Sequence, residues 1–508
     1  MDAVRQTLMA RVYDVAIESP LEHAVKLSAQ LGCEVYLKRE DLQPVHSFKL
    51  RGAYNKIAQL SAAERKKGVI AASAGNHAQG VALAAQKLGI SALIVMPRTT
   101  PSIKVDAVQS YGAEVELAGD NYSEAADYAK QRTKETGRTY VHPFDDPLVI
   151  AGQGTVGREI LDQLSSVTHI FVPVGGGGLA AGIAQYVKAL RPDIKIIGVE
   201  PEDSNVLQAS LQAGERVVLP HVGIFADGVA VKQMGEHTFA LCRQFVDDSI
   251  TVTTDEICAA IKSVFEATRG IVEPAGALGT AGIIKYAAAK KLKNAHAVAI
   301  CSGANITFER LQFVAERTLL GSGKEALFAV TLPEKSGALH AFCKDIVNGH
   351  NITQFAYRLQ HRDRAHIFVG ISMNDLSEKK AFTRKMKAKE YQYADLSEDD
   401  IAKEHIRHMV GGIGTQTQGE RIYRVNFPER PGALNDFLQH MGDQWNISLF
   451  HYRGMGDDTG HILIGFEAED SEPLESKLDS ANCDYQPVES AAAKVFLRDN
   501  WPRTAGRS

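Results

Sequence analysis

An echo spaced by 95 residues governs how the C-terminal part of this chain can fold. Leu332-Pro333-Glu334-Lys335-Ser336-Gly337-Ala338-Leu339 returns as Phe427-Pro428-Glu429-Arg430-Pro431-Gly432-Ala433-Leu434. Asn351-Ile352-Thr353-Gln354-Phe355 returns as Asn446-Ile447-Ser448-Leu449-Phe450, and Tyr357-Arg358 as Tyr452-Arg453, always in the same register. Matched blocks at one offset mark a duplication, so each copy should be one supersecondary unit. In each, an alternating strand (328–331; 422–426) runs into Pro-Glu and a Gly at a helix start, then a helix and a second strand. That order predicts a β-α-β unit of ferredoxin-like α+β type. Gly411-Gly412-Ile413-Gly414 is the expected linker between copies, and Arg310 to Gly323 the expected connecting helix and hinge. The expected division is a first domain over 1–321 and repeat subdomains over 325–405 and 419–495.

Between about residues 34 and 320 the pattern differs. Short runs rich in Val and Ile alternate with stretches of helical period: 68–72 before 78–88, 92–96 before 102–111, and 169–174 before 179–190. Such alternation predicts an α/β domain, a parallel sheet wrapped by helices, with ligands where strands end and helices begin.

The charge balance removes several function classes. Lys plus Arg number 56 against 61 Asp plus Glu, a formal net charge of −5, which offers no overall basic field to a nucleic acid. The six cysteines (Cys33, Cys242, Cys258, Cys301, Cys343 and Cys483) are scattered singly, so neither a disulfide framework nor a metal site is expected. The N-terminus shows no apolar signal region, and no run of about 18 to 20 apolar residues occurs. A cytoplasmic protein with no membrane partner is expected.

Three segments at predicted strand-to-helix junctions carry the chemistry. The first is His46-Ser47-Phe48-Lys49-Leu50-Arg51-Gly52-Ala53. A lysine at a helix start opposes the macrodipole, so Lys49 is better placed as a neutral or covalently engaged amine than as a cation. The second is Ser73-Ala74-Gly75-Asn76-His77. Its small residues leave helix N-terminal amides open to a carboxylate, and Asn76 adds a side-chain donor; on residues alone, Ser73 and Asn76 serve equally as helix caps. The third is Gly175-Gly176-Gly177-Gly178-Leu179, whose glycines let backbone amides close on an anion such as a phosphate. It matches neither the P-loop nor the dinucleotide fingerprint. Glu273, in Val272-Glu273-Pro274, is a lesser candidate, open between lining a site and standing as a solvated loop acid.

In this order, and followed by Cys301-Ser302-Gly303-Ala304-Asn305, these segments resemble the serine/threonine dehydratases of the tryptophan-synthase-like, fold-type-II family of pyridoxal-phosphate enzymes. With the doubled C-terminal unit, the whole chain is similar to the biosynthetic threonine deaminases. The resemblance implies pyridoxal 5′-phosphate as cofactor and Lys49 as its Schiff-base lysine. Phe48 would pack beside it, Asn76 would contact its 3′ oxygen, Gly175, Gly176, Gly177, Gly178 and Leu179 would hold its phosphate, and Ser302 would face its pyridine nitrogen. Ser73, Ala74, Gly75, Asn76 and His77 would hold the substrate carboxylate. A neutral Ser302 makes the cofactor a milder electron sink, which suits prompt β-elimination.

The implied reaction is conversion of L-threonine to 2-oxobutanoate and ammonia, the first step of isoleucine biosynthesis, in a homotetramer. The repeat resembles ACT-like modules, with isoleucine inhibiting and valine opposing it. Gly337, Leu339 and Asn351 in one copy, and Gly432, Leu434 and Asn446 in the other, are the candidate effector contacts, against copies that serve only as an assembly interface. Two alternatives remain at this stage: a serine dehydratase or racemase acting on L-serine, and a catalytically silent amino-acid sensor.

Overall fold

Val- and Ile-rich segments buried on both faces become parallel strands, because only helix-covered sheets hide both faces from water. The computed structural model describes residues 2–290, 292–333, 338–347, 350–357, 364–409, 420–428, 437, 440–441, 445–453, 459–468, 473–481 and 483–497. It divides into two units, Met1–Arg310 and Leu311–Ser508.

The first unit carries ten strands: β1 (Leu21–His23), β2 (Glu34–Arg39), β3 (Val69–Ala72), β4 (Ala92–Met96), β5 (Glu114–Leu117), β6 (Thr139–Tyr140), β7 (His169–Pro173), β8 (Lys195–Pro201), β9 (Asp248–Val252) and β10 (His296–Cys301). In keeping with the expected α/β class of parallel sheets wrapped by helices, the strands form two sheets, ordered β1-β2-β10-β7-β8-β9 and β5-β4-β3-β6. The division arises because β10 pairs in parallel with both β2 and β7, from Glu34↔His296 to Arg39↔Cys301 on one side, and so seals the larger sheet without β3 to β6. Only the edge strand β1 runs antiparallel. Every residue of β3 and β4 is buried, as the apolar runs require. The helix Asn76–Leu88 stops at Gly89, whose φ of 65° is the left-handed cap glycine tolerates best.

Beneath the start of the helix Lys49–Ala58 lies a buried ionic cluster. The Arg51 guanidinium donates to Glu40 Oε1 and Oε2, each at 2.8 Å, and to Glu159 Oε1 at 2.6 Å and Oε2 at 3.0 Å. Lys38 Nζ meets Glu159 Oε2 at 2.6 Å and the Ser19 carbonyl at 2.7 Å. Two cations face two carboxylates, so the cluster is neutral and its polar atoms are paired, the condition under which buried charge is tolerated.

The second unit holds two antiparallel four-stranded sheets. The first is built from β11 (Glu325–Pro333), β12 (Ile352–Tyr357), β13 (Arg364–Ser372) and β14 (Gln392–Asp395), the second from β15 (Glu420–Pro428), β16 (Asn446–Arg453), β17 (Thr459–Glu467) and β18 (Asp484–Pro487). Their orders, β12-β13-β11-β14 and β16-β17-β15-β18, are the same topology twice. The predicted β-α-β core thus extends to the ferredoxin-like pattern, with a further strand, helix and strand. The duplication reaches even an irregularity: the register slips between Ile352 and Gln354 in one copy and between Ile447 and Leu449 in the other. Facing each slip is a glycine, Gly370 or Gly465, where a Cβ would come within 2.5 Å of Thr353 Oγ1 or 2.7 Å of Ser448 Oγ. The copies share a core in which Leu327, Ala329 and Phe368 meet Ile422, Leu463 and Phe496. Leu339 falls in the helix Ala338–Phe342, Asn351 immediately precedes β12 and Asn446 opens β16. Gly337, Gly432, Leu434 and the linker 411–414 lie outside the described residues. Among the described residues no helix is long and apolar enough to cross a membrane.

Candidate active site

Three of the four motif-bearing segments leave the C-terminal ends of parallel strands directly, and the Lys49 segment follows β2 after a turn at 40–42; this is the side on which an α/β sheet collects its ligands. Lys49 is the first residue of its helix. The loop before it is strapped to the loop after β10, since Phe48 N donates to the Ser302 carbonyl at 3.2 Å and Ala304 N to that of His46 at 2.9 Å. His46 makes this turn with a φ of 54°. Lys49 Nζ donates to the Pro143 carbonyl at 3.0 Å. Burial pulls its pKa down to about 8, with Glu273 opposing. At pH 7 such a group is neutral roughly one time in ten, whereas an ordinary lysine is neutral fewer than about one time in a thousand.

Pro143 leads directly into Phe144, whose ring lies against the glycine run. A Cβ at Gly176 would fall 2.2 Å from that ring, and one at Gly175 2.8 Å from the Val229 backbone. Gly177, at a φ of 90°, is the cap of the helix Gly178–Leu190, and no side chain occupies its first amides. The run is therefore a cradle that excludes side chains and presents N–H groups at a helix N-terminus, as a phosphate requires.

Neither Ser73 nor Asn76 caps the helix Asn76–Leu88; the cap is Gly75, with no side-chain hydrogen bond. Ser73 Oγ accepts from Gly75 N at 3.2 Å, within its own loop. Asn76 Nδ2 donates to Glu273 Oε1 at 2.6 Å, and its Oδ1 accepts from Asn305 Nδ2 at 2.6 Å. The His77 imidazole turns away to the Val141 carbonyl, with Nε2 at 2.8 Å, and burial lowers its pKa to about 3. It stays neutral, so only its backbone is left to serve a ligand. Ser302, buried just past β10, donates from Oγ to the Ala275 carbonyl at 3.3 Å. Glu273 is buried against Asn76 rather than solvated, and burial, with Asp227 adding, raises its pKa to about 7.

Sequence reasoning missed Pro143 and Phe144, which carry no motif, and assigned no role to Asn305 although its segment was singled out. Among the described residues no cluster of three or more His, Cys, Asp or Glu side chains is placed to hold a metal. A first prediction follows from the cradle: Gly175→Ala presses on backbone that cannot yield cheaply, so it should cost about 1–3 kcal/mol by thermal denaturation and weaken phosphate-ester binding. An unchanged melting temperature would contradict the packing described.

The pyridoxal-phosphate dependent enzyme family matches residues 12–303. The C-terminal regulatory domain of threonine dehydratase matches twice, over 316–406 and 411–496. The biosynthetic L-threonine dehydratase of Burkholderia multivorans is 52% identical over 97% of this chain and 98% of its own length. That of Escherichia coli is 48% identical over 97% and 96%. A solved structure, the processed form of threonine deaminase isoform 2 from Solanum lycopersicum, aligns at a TM-score of 0.61 with 52% identity, covering 62% of this chain and 92% of that one. Maize serine racemase aligns at 0.58 with 34% identity over 63% and 97%. Homology across nearly the whole length, with the regulatory domain matched in duplicate, shows that the chain belongs to the pyridoxal-phosphate-dependent enzymes and, among them, to the family of biosynthetic threonine dehydratases.

Proposed function

We propose that this chain is a carbon–nitrogen lyase that deaminates L-threonine to 2-oxobutanoate and ammonia, the committed chemistry of isoleucine synthesis. The observation that carries the reading is the convergence of a buried amine of depressed pKa, Lys49, with an anion cradle, Gly175–Leu179, joined through consecutive residues Pro143 and Phe144. Pyridoxal phosphate would be held by those amides, by Asn76 and Ser302, beside Phe48 and on Lys49. When bound it supplies the electron sink that makes the substrate α-hydrogen acidic.

The remaining work falls to the chain. The helix N-terminal amides within 73–77, of which Ser73 N and Gly75 N are already engaged, bind the substrate carboxylate and so fix which face of Cα is presented. Lys49 takes the α-proton, a step for which a pKa of about 8 is far better matched to neutral pH than an ordinary lysine. Ser302 offers a neutral hydroxyl in place of a carboxylate, which limits charge storage and favours expulsion of the β-hydroxyl over return of the proton. Water lost at the β-carbon is regained when the released enamine hydrolyses, so threonine and the two products balance. Purified protein supplied with pyridoxal phosphate and threonine should form 2-oxo acid; absence of product would overturn the reading.

The two ferredoxin-like copies are the sensors in this proposal, isoleucine inhibiting and valine opposing, within a homotetramer. Support comes from the duplicated match to a regulatory domain and from two copies that keep the same bulge yet differ at Gln354 and Leu449. A chain ending at residue 321 should keep turning over threonine and lose at least about tenfold in isoleucine sensitivity, the usual scale of allosteric coupling. A truncated enzyme still inhibited at the original isoleucine concentration would place the sensor elsewhere.

A further inference from the structure

We propose that Glu273 is a positioning residue for this reaction: its carboxylate holds the Asn76 amide in one orientation and leaves the second N–H of Asn76 for the 3′ oxygen of the cofactor. The inference rests on the pyridoxal-phosphate reading of the site. Three residues from three separate elements close a hydrogen-bonded ring. Asn76 opens one helix, Glu273 precedes the helix Pro274–Lys290, and Asn305 follows β10. Asn76 Nδ2 donates to Glu273 Oε1 at 2.6 Å, Asn305 N donates to Glu273 Oε2 at 3.0 Å, and Asn305 Nδ2 donates to Asn76 Oδ1 at 2.6 Å. Asn305 Nδ2 is itself anchored on the Val45 carbonyl at 2.9 Å, and Glu273 N on that of Gly303 at 3.1 Å.

The ring has only one favourable sense. Turning the Asn76 amide over would set its NH2 against the NH2 of Asn305 and its carbonyl against the Glu273 carboxylate, two repulsive contacts in place of two bonds. In the observed sense Oδ1 is occupied and one hydrogen of Nδ2 is spent, so a single donor remains. The absence of a side chain at Gly303 makes room for this arrangement. A Cβ at Gly303 would stand 2.5 Å from Glu273 Oε1 and 3.2 Å from Asn76 Nδ2.

The ring also couples the site to pH. The charged groups facing Glu273 are Asp227 from the turn 227–229, Lys104 from the helix Ser102–Ser110, and Lys49. Burial and Asp227 raise its pKa to about 7. As a carboxylate it accepts from both Asn76 and Asn305; as an acid, one oxygen bears a hydrogen and accepts poorly, so one of the two contacts is lost and the ring that orients the amide is opened.

The test titrates pyridoxal phosphate into wild type, Glu273→Gln and Asn305→Ala, reading cofactor affinity and the pH dependence of the visible absorption band between about pH 6 and 8.5. Wild type should show a spectral transition near pH 7. Glu273→Gln keeps the shape but presents an NH2 to an N–H donor, so the transition should vanish and affinity fall by about tenfold. Asn305→Ala should weaken affinity by a similar factor while keeping a transition. Glu273→Gln with wild-type affinity and wild-type pH dependence would overturn the inference, as would Asn305→Ala with wild-type affinity should Glu273→Gln fail to fold. Wild type that takes up no cofactor would overturn the reading of the site, and this inference with it.

Discussion

Lys49→Ala removes threonine turnover and, in the same sample, the visible absorption of bound cofactor. The loss in rate should be on the order of a thousandfold or more, since one positioned proton-transfer group alone is worth about 10²–10⁴ and Lys49 is also the covalent tether in the proposed chemistry. Stability should barely move. Alanine is the stronger helix former at the first helical position, and the substitution gives up one hydrogen bond to Pro143 while relieving the burial of an amine. The pair of measurements is an assay with an absorption spectrum, beside a melting temperature within about 2 °C of wild type when both proteins are cofactor-free. A variant that folds and still produces 2-oxo acid would remove Lys49 from the chemistry.

Arg51→Ala should destabilise the fold strongly. Its guanidinium is wholly buried and bridges Glu40 and Glu159, neither of which has access to water. Without it Lys38 alone faces two carboxylates, and the cluster carries an uncompensated negative charge in the core. Breaking a buried pair in this way costs about 3–5 kcal/mol, which should lower the melting temperature by roughly 10 °C. Arg51→Lys should recover only part of the loss, because one ammonium cannot reproduce the forked contacts to both acids. Since Lys49 heads the same helix, activity should fall too, but in proportion to the fraction of folded protein. A melting temperature unchanged by Arg51→Ala would mean that the cluster contributes nothing to the fold.

How much of this is legible in the sequence depends on the range of the forces involved. The apolar runs of β3, β4 and β7 are legible because burial on both faces demands them, and the duplication is legible down to the register of β12 and β16. The motif segments stand out because anion cradles need glycine and small residues wherever they occur. The pairing of β10 between β2 and β7 leaves no local trace, so which strands share a sheet is not legible. Arg51 looks like any solvated helix charge until Glu159, 108 residues away, is folded against it. Glu273 stays open in the sequence between a site residue and a loop acid, and only its contact with Asn76, 197 residues distant, decides for the site.

The sealing of the larger sheet by its last strand also sets a schedule for the ribosome. β3 to β6 pair within the stretch 69–140, so the smaller sheet can assemble while the chain is still short. β2 must wait for a partner that begins 262 residues after it, from Glu34 to His296. At about 5–20 residues per second its free edge stays unpaired for roughly 13 to 50 seconds of synthesis. During that interval a nascent chain exposes a strand with open backbone donors and acceptors, the kind of edge that recruits wrong partners. Arrest of translation before residue 296 should therefore yield a species far more prone to aggregate than one arrested shortly after residue 310.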